Sequence, residues 1–457
     1  MLLSKRLLDN GKEKVRIVTQ QDLFSSTQLI TFNPILNESD DVRMQYYVYL
    51  KRLIRFVKWE KRKYTKSQLA FYKRKLCGDD EPPKTAQITF DYRFCYLLPF
   101  DLAAMCGFSQ KVIKSAQTKS IIEKIISDFP VLQGSSEVLT MLFEAAQGKE
   151  RAWDQIFASK NFDDFERYLR IVRRNIVFIK EVPFTILITA TMSAGKSTLI
   201  NALIGKNISR MQNMACTSKI HTIISKSFED GVISEDDHDL LMDATHEDLL
   251  EDNEQNKSNK ITVGSYFNGS LAGKRVVLLD SPGVNSSENI EHADISYQVI
   301  KSRKYKLMLY VLNSTQLGTN DEARHLEMIR DRIGRCKIVF VMNKVDQLIS
   351  EDDNIIDAIE GQRNFLVSKG FKHPIICPVS SRAAYLVKKS RQGELSRIER
   401  REMENYMDKF EQQGLAQYYE SHLKCDPITT SNEADELFVN CGFAYLEKII
   451  ESIHNGG

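Results

Sequence analysis

Residues 184–205 read FTILIT-ATMSAGKS-TLINALIG, and this stretch decides the fold. An apolar run long enough for one buried strand leads into the loop 190–197, and a helical sequence follows the loop. The loop matches the phosphate-binding pattern GxxxxGK[ST], except that its first position is Ala190. Such a loop surrounds phosphate groups with the backbone N–H groups of a helix start. The stretch therefore predicts a phosphate-binding strand–loop–helix unit.

Three residues of this loop have predicted roles in binding a nucleotide. Gly195 allows the close backbone approach that a side chain would block, and Lys196 is expected to reach the β- and γ-phosphates. Ser197 is expected to give its hydroxyl to Mg²⁺. The predicted nucleotide-binding residues of the loop are Ala194, Gly195, Lys196, Ser197 and Thr198.

Four further apolar runs follow along the chain, at 276–279, 307–312, 338–342 and 375–379. They are rich in Val, Ile and Leu without alternation, which is typical of strands whose two faces are both covered by helices. Two more polar stretches, 219–228 and 260–267, fit an edge hairpin. The predicted fold class is α/β, with a mostly parallel sheet covered by helices.

Two motifs follow predicted strands directly. Asp280-Ser-Pro-Gly283 fits DxxG, in which Asp280 would hold Mg²⁺ through a water and the Gly283 N–H would meet the γ-phosphate. In Asn343-Lys344-Val345-Asp346, the aspartate can accept hydrogen bonds from N1 and N2 of guanine, a donor pair that adenine lacks. Asn343 would brace the phosphate loop, and the stem of Lys344 would lie across the base. The second of these motifs favours GTP over ATP.

Two weaker signals complete the predicted site. Thr217 stands between the phosphate-loop helix and an edge strand, where it would bind Mg²⁺ and sense the γ-phosphate. The alternative is an ordinary threonine at a strand start. Ser380, Ser381 and Arg382 follow the last predicted strand, where GTPases carry a loop that supports the base.

Composition limits the remaining possibilities. A chain of 457 residues should form two or three compact units. The balance of 42% hydrophobic and 27% charged residues is that of a soluble globular protein, and a net charge of +2 favours neither nucleic acid nor membrane. The sequence shows no signal peptide and no apolar run of about 20 residues. We expect a cytoplasmic protein whose membrane contact, if any, is peripheral.

The predicted organisation has three parts. Residues 1–100 form a basic α+β region, with a half-buried strand indicated by the alternation over 88–96. Residues 101–161 form a helical region, and 162–457 form the phosphate-binding domain, with an acidic mobile loop at 229–259 and a charged helical insertion at 393–425. Amphipathic helices at 162–180 and 443–453 bracket this last domain. They either pack together as a neck or simply cover the sheet.

A basic stretch extends from residue 51 to residue 75. Its apolar stripe, at positions 46, 50, 53, 54 and 57, is flanked by Lys and Arg. A basic amphipathic helix can bind anionic lipid, nucleic acid or an acidic partner. The simpler interpretation, which we favour, is a helix packed on its own domain with a solvated basic face. The acidic stretch 229–254 is a conceivable intramolecular partner.

Taken together, these motifs resemble the dynamin superfamily, especially bacterial dynamin-like proteins. The resemblance rests on SAGKSTLINALIG at 193–205, ACTSKI at 215–220, DSPGV at 280–284, VLNSTQLGTNDE at 311–322 and NKVDQL at 343–348, and it extends over about 162–453. It implies a large GTPase of low nucleotide affinity, whose hydrolysis is stimulated when two GTPase domains dimerise across their nucleotide faces.

By the same resemblance, Ser193 would orient a charge-compensating cation or a partner contact. The backbones of Thr217 and Gly283 would position the attacking water, which makes Lys196, Thr217, Gly283 and Ser193 the implied catalytic set. Residues 320–322 would contact the partner domain. The implied cofactors are GTP or GDP with Mg²⁺, and the implied partners are a homodimer mate or a second dynamin-like subunit.

Two features depart from the family pattern. Dynamins carry a glutamine in the phosphate loop where this chain has Met192, whose thioether cannot orient water. The chain also ends at Gly457, which leaves no room for a C-terminal stalk, so collar assembly and autonomous membrane scission are not expected. Three functions stay open: a dimerisation-stimulated GTPase, a GTP-dependent switch with little turnover, and a membrane- or nucleic-acid-associated scaffold. The first is preferred, and nucleic acid is the least favoured partner.

Overall fold

The computed structural model describes residues 23–83, 89–108, 115–191, 193–209, 220–237, 239–245, 247–249, 260–281, 298–302, 304–334, 336–349 and 355–456. The chain folds into two compact units. The first unit comprises Met1–Val182, Ile224–Ala244 and Val263–Tyr266, and the second comprises Pro183–Ile223, Thr245–Thr262 and Phe267–Gly457. The division expected from the sequence placed its boundaries after residues 100 and 161 instead.

Within the described residues, the strands are β1 Phe184–Ala190, β2 Ile220–Ser225, β3 Ile233–Asp236, β4 Leu240–Ala244, β5 Lys260–Ser265, β6 Val276–Asp280, β7 Leu307–Asn313, β8 Lys337–Asn343 and β9 Ile375–Val379. Their order in the sheet is β4-β3-β5-β2-β6-β1-β7-β8-β9. All five strands predicted from the apolar runs are present. β2 and β5 lie side by side, but they do not form the predicted edge hairpin, because β3 and β4 continue the sheet beyond β5. The α/β fold class is confirmed.

The α-helices of the same residues are α1 Asp40–Phe56, α2 Lys63–Cys77, α3 Leu98–Met105, α4 Ser115–Asp128, α5 Ser136–Ala146, α6 Glu150–Ala158, α7 Glu166–Lys180, α8 Lys196–Ile204, α9 Asn320–Arg330, α10 Ile355–Ser368, α11 Ser381–Ser390, α12 Arg397–Gln412, α13 Ala416–His422, α14 Glu433–Asn440 and α15 Phe443–Asn455. The predicted insertion at 393–425 is helical, as α12 and α13. No described helix is long and apolar enough to cross a lipid bilayer.

The first unit has a helical core built around one buried carboxylate. Asp101 on α3 is fully buried. It accepts hydrogen bonds from the hydroxyls of Tyr46, Tyr72 (3.0 Å) and Tyr168 (3.5 Å), and from Nδ2 of Asn33 (3.0 Å). Burial raises the pKa of Asp101 to about 6, although the four hydrogen bonds oppose the shift.

The basic stretch packs as a pair of helices in this core. The apolar stripe of α1 is buried, with Tyr46, Leu50, Leu53 and Ile54 all inaccessible to solvent. The basic side chains that follow the stripe, such as Arg55, remain exposed. The favoured interpretation of a packed helix with a solvated basic face therefore holds.

The acidic stretch 229–259 is not wholly a loop, contrary to the sequence-based expectation. β3 and β4 form an antiparallel hairpin within it, and residues 250–259 lie outside the described part of the chain. Met242 of β4 is buried. Lys63 donates to Asp236 (3.0 Å), and the Arg74 guanidinium donates to both oxygens of Asp243. These ion pairs place two carboxylates of the hairpin against basic side chains of α2, which reduces the repulsion among the acidic residues.

The strand predicted over 88–96 is absent from the described residues of that stretch. Tyr92–Tyr96 forms a 3₁₀ helix instead, and Phe94 and Cys95 point into the core. The side chain of Asp91 accepts a hydrogen bond from the backbone N–H of Arg93 (2.9 Å) and caps this helix. Local capping and burial of two adjacent residues therefore override the alternating pattern.

The two helices expected to bracket the sheet have different roles. The stripe of α7, including Leu169, Val172 and Ile176, is buried in the core of the first unit. In the second unit, α15 packs on β9 and buries Leu446 and Ile450. The sheet-covering interpretation therefore holds for α15, whereas α7 fills the core of the first unit.

Candidate nucleotide site

The carboxyl ends of five parallel strands meet at one end of the sheet in the second unit. β1 pairs with β6 and β7, and β8 pairs with β7 and β9, all in parallel. The register aligns Ile188 with Asp280 and Asn313 with Asn343. Loops that leave the carboxyl ends of parallel strands form the usual ligand crevice of open α/β sheets. The predicted motifs after β1, β6 and β8 are therefore brought to one place.

Gly195 sits where the phosphate loop approaches β8. Its φ of +83° lies in the left-handed region, and a Cβ atom there would lie 2.3 Å from Nδ2 of Asn343. That amide donates to the backbone oxygens of Ala194 (3.0 Å) and Gly195 (3.4 Å). A side chain at position 195 would therefore displace the group that ties the loop to β8.

Lys196 begins α8 and is almost fully buried. Its ammonium contacts Oδ1 of Asp280, which ends β6 and is 1% exposed. The other carboxylate oxygen of Asp280 is buried, with no hydrogen-bond partner among the described residues. Ser197 and Thr198 lie half-buried in the first turn of α8. The lysine and the aspartate predicted for phosphate and metal binding are thus in direct contact.

The guanine-reading tetrapeptide forms a turn at the end of β8. Oδ1 of Asn343 accepts a hydrogen bond from the backbone N–H of Ser381 (3.0 Å). Lys344 has a left-handed backbone, with a φ of +65°, and Asp346 follows in the 3₁₀ turn Val345–Gln347. The Asp346 side chain is mostly buried, and no hydrogen bond reaches its carboxylate from the described residues. An acceptor of this kind can receive two N–H donors of a base.

The three predicted residues after β9 have different surroundings. Ser380 caps α11 by accepting a hydrogen bond from the backbone N–H of Ala383 (3.4 Å). The hydroxyl of Ser381 is buried, with no partner among the described residues. The Arg382 guanidinium donates two hydrogen bonds to Glu402 on α12, at 2.8 and 2.6 Å. The Arg382 side chain is therefore engaged by α12.

Residues 186–345 match the family model described as the dynamin family. The chain carries a dynamin-superfamily GTPase domain. A bacterial dynamin-like protein of Nostoc punctiforme is 23% identical over 276 residues, which cover 56% of this chain and 38% of that protein. An uncharacterised protein from the xynA 3′ region of a Caldicellulosiruptor species is 28% identical over 206 residues, which cover 41% of this chain and 48% of that protein. The chain thus spans less than half the length of these curated relatives.

The domain also has weak likeness to solved structures. The structure of an oligomerised bacterial dynamin pair, described in terms of long-range sensing and tethering of membranes, has 14% identity and a TM-score of 0.37. The matched region covers 92% of this chain and 60% of the dynamin chain.

The dynamin-superfamily domain offers suitable groups for Mg²⁺. In nucleotide sites, Mg²⁺ is bound by one or two protein oxygens together with phosphate oxygens and waters. The buried, unpartnered carboxylate oxygen of Asp280 and the hydroxyl of Ser197 are oxygen donors of this type. These residues therefore fit the ion that the resemblance implies.

Residues 320–322, which the resemblance implies to face a partner domain, differ in their exposure to solvent. Asn320 and Asp321 are exposed at the start of α9. Glu322 is buried, and its carboxylate accepts hydrogen bonds from the backbone N–H of Gly318 (2.7 Å) and from Nε2 of Gln362 (3.2 Å). A direct contact of Glu322 with a partner is therefore contradicted by its burial, whereas its two neighbours remain accessible.

Several predicted residues lie outside the described part of the chain. Thr217, Gly283 and Met192 are among them. Ser193 is described, and it is exposed with a left-handed φ of +58°. Its backbone oxygen accepts a hydrogen bond from Asn313 (3.4 Å), so the loop is also tied to β7.

Some residues around this site are not among the predicted functional residues. Asn313 ends β7 beside Asn343, and Ser314 donates its hydroxyl hydrogen to the backbone oxygen of Lys344 (2.9 Å). Both follow a buried strand, so the rule that located Asp280 could also have located them. Lys409 and Glu402 of α12 carried no such signal, because the motif pattern has no position for them.

Proposed function

We propose that this chain binds GTP with Mg²⁺ and hydrolyses it to GDP and phosphate, and that pairing of two GTPase domains across their nucleotide faces stimulates hydrolysis. The observation that carries the proposal is the position of Asn343. Its one side chain contacts the phosphate loop through Ala194 and Gly195 and the base-side loop through Ser381. The dynamin-family match over residues 186–345 supports the choice of nucleotide.

Phosphate binding uses the contact between Lys196 and Asp280. When GTP binds, its β- and γ-phosphates replace the carboxylate as the partner of the ammonium. Asp280 and Ser197 would hold Mg²⁺, and the bound ion would neutralise charge on the phosphate oxygens. The backbone N–H groups at the start of α8 face the phosphates in the same loop. Binding therefore exchanges one charge pair for another and leaves no buried charge unpaired.

Base selection depends on Asp346. Its buried carboxylate accepts from both N1 and N2 of guanine, and adenine would leave it unpaired at a cost of about 1–3 kcal/mol or more. The Lys344 stem lies against Gly195, since its Cε is 3.7 Å from the position of a Cβ built there. The base would pack along this stem, next to the bracing amide of Asn343.

The chemical step is mainly a matter of positioning and charge stabilisation, as in other phosphoryl transfers. We assign the positioning of the attacking water to the backbones of Thr217 and Gly283. Ser193 is exposed at the face where a second domain would dock, so it would orient a compensating cation or a partner group. Asn320 and Asp321 would contribute to that docking surface.

The proposal extends to the setting of the protein. A homodimer mate is the proposed partner, with a second dynamin-like subunit as the other candidate. We propose a cytoplasmic location, with peripheral membrane contact through the exposed basic face that includes Arg55, Lys58, Lys61 and Lys66. Met192, in place of the glutamine of dynamins, favours one alternative function, a GTP-dependent switch with little turnover.

The test is GTP turnover per molecule over a wide range of protein concentrations. Lys196→Ala serves as the control variant, and ATP is run alongside. A turnover rate that rises with protein concentration, is absent with ATP and is lost in the variant would support a dimerisation-stimulated GTPase.

A flat, near-zero rate together with measurable GTP binding would overturn hydrolysis and leave the switch. Equal binding of ATP and GTP would overturn the assignment of Asp346. Turnover that is independent of protein concentration would overturn only the dimerisation part of the proposal.

A further inference from the structure

The charged helix α12 lies against the base side of the nucleotide site. Nζ of Lys409 donates a hydrogen bond to the backbone oxygen of Asp346 (3.2 Å). Glu402 accepts the two hydrogen bonds of Arg382. Tyr406 lies between these two attachment points, near the carboxylates of both Asp346 and Glu402. Three side chains on one face of α12 are thus directed at the guanine-reading turn and the loop beside it.

The turn that carries Asp346 is short and has only two backbone hydrogen bonds among the described residues. It is a 3₁₀ turn, Val345–Gln347, closed by hydrogen bonds from Gln347 to Lys344 (3.0 Å) and from Leu348 to Val345 (2.9 Å). Short 3₁₀ turns have poor hydrogen-bond geometry and little stability of their own. The orientation of the Asp346 carboxylate therefore depends on what packs around the turn.

Asn343 and α12 hold the two sides of this turn. On the side of the phosphate loop, Asn343 is bound to Ala194 and Ser381. On the far side, Lys409 holds the backbone of Asp346 itself. The Arg382 pair fixes α12 to α11 immediately after Ser381. A planar guanidinium–carboxylate pair fixes direction as well as distance.

We propose that α12 acts as a base-side clamp, in which Lys409 and the Arg382–Glu402 pair are positioning residues that aim Asp346 at guanine. The clamp sets how strongly the site distinguishes guanine from a base that lacks the exocyclic amino group. This inference rests on the proposed binding of guanine nucleotides. The clamp residues act through Asp346 and do not themselves touch the reacting atoms.

The chain provides a matched control on the same two helices. Lys389 of α11 donates two hydrogen bonds to Glu399 of α12, at 2.8 and 2.9 Å. Glu399 precedes Lys409 by ten residues, which is about 15 Å along a helix. Loss of this pair weakens the attachment of α12 without removing a contact to the guanine-reading turn.

The experiment measures the dissociation constants of GDP and of inosine diphosphate by calorimetry, on the full chain with Mg²⁺. Inosine lacks the N2 donor, so the ratio of the dissociation constant of inosine diphosphate to that of GDP reports how well Asp346 accepts that donor. We expect Glu402→Gln and Lys409→Met to lower this ratio by about threefold to tenfold, since the hydrogen bond from guanine N2 to the Asp346 carboxylate is weakened. Lys409→Arg keeps a donor and should retain the ratio, and Glu399→Gln should leave it unchanged.

A double-mutant cycle tests whether Arg382 and Glu402 act together. The double variant Arg382→Gln with Glu402→Gln should lower the ratio no further than either single variant. Circular dichroism confirms folding. Lys409 is an exposed residue, and Lys409→Met removes its hydrogen bond to Asp346 but no buried packing, so at least this variant should fold.

Three results would overturn the clamp. One is a ratio unchanged in both Glu402→Gln and Lys409→Met, and another is a ratio lowered equally by Glu399→Gln. The third is a wild-type protein that binds both nucleotides equally well. Absence of binding of either nucleotide to the wild-type protein would instead overturn the proposed function, and the clamp with it.

Discussion

At the scale of single residues, the site depends on backbone positions as much as on charged side chains. Gly195 and Lys344 both adopt left-handed backbone conformations beside Asn343. Glycine adopts this conformation without steric cost, whereas lysine does so only where the surrounding structure enforces it. The brace by Asn343 and its contact with Ser381 provide that enforcement. The sequence motifs specify the residue types at these positions, and the contacts of these residues explain why those types are needed.

Gly195→Ala should abolish useful GTP binding. The new methyl group would stand 2.3 Å from Nδ2 of Asn343 at a φ of +83°. Strain and the displaced brace together should cost about 3 kcal/mol, or about a hundredfold in affinity. Titration with a fluorescent GTP analogue measures the loss. Gly361→Ala is the control, because Gly361 lies in α10 with open space around it, and this change should stabilise the helix by about 0.5–1 kcal/mol. Gly195→Ala binding within a few-fold of wild type would contradict the expectation.

Asp101 should make the first unit less stable as pH rises from about 4 to 6. Its folded-state pKa of about 6 lies above the ordinary value of about 3.9 for aspartate. The folded state therefore holds the proton more tightly than the unfolded state. The stabilisation is complete below the unfolded pKa and is lost as pH rises through the folded pKa. A difference of about two pKa units corresponds to about 3 kcal/mol.

Asp101→Asn should remove this pH dependence. Urea unfolding at pH 4.5 and pH 7, followed by tryptophan fluorescence, measures it in both proteins. Trp59 and Trp153 are both buried in the first unit, and the sequence has no other tryptophan, so the signal reports this unit. The wild-type protein should lose more stability than the variant between the two pH values. Parallel behaviour of the two proteins would exclude the role assigned to Asp101.

At the scale of elements, the sequence predicted strands well where burial was complete on both faces. β1, β6, β7, β8 and β9 appear where continuous apolar runs placed them. Alternating patterns were less reliable, because Tyr92–Tyr96 became a 3₁₀ helix under the control of a local cap. The acidic sequence of the β3–β4 hairpin did not predict strands, whereas the structure pairs two of its carboxylates, those of Asp236 and Asp243, with basic residues of α2. Alternating hydrophobicity and charge can be read from one segment, whereas strand pairing depends on the element that packs beside that segment.

At the scale of the whole molecule, the division into units does not follow chain order. Residues 224–244 belong to the first unit, although more than forty residues of the second unit separate them from Val182. A buried polar network holds them there. Thr27 bonds to Asn175 (2.9 Å) and Ser227 (2.8 Å), and the backbone N–H of Gln28 donates to Asp230 (2.8 Å). Asp230 is also paired with Lys226 in a fully buried ion pair.

A fragment of residues 1–182 should therefore be much less stable than the same region in the intact chain. It lacks Ser227, Asp230 and Met242, so buried donors and acceptors lose their partners at about 1–3 kcal/mol each. We expect a lower urea midpoint and red-shifted emission from the two tryptophans. The intact chain, measured under the same conditions, is the reference. An unchanged midpoint would show that residues 224–244 are dispensable for the first unit.

The sequence by itself determined the α/β sheet, the phosphate loop and the guanine-reading turn. Those features rest on local order: a buried strand, then a loop whose length and residue types suit a phosphate or a base. Tertiary structure alone decided that α12 borders Asp346, that Glu322 is buried and that the acidic hairpin joins the first unit. These contacts join residues far apart in the chain, and their geometry depends on how whole elements pack. No short stretch of sequence contains that information.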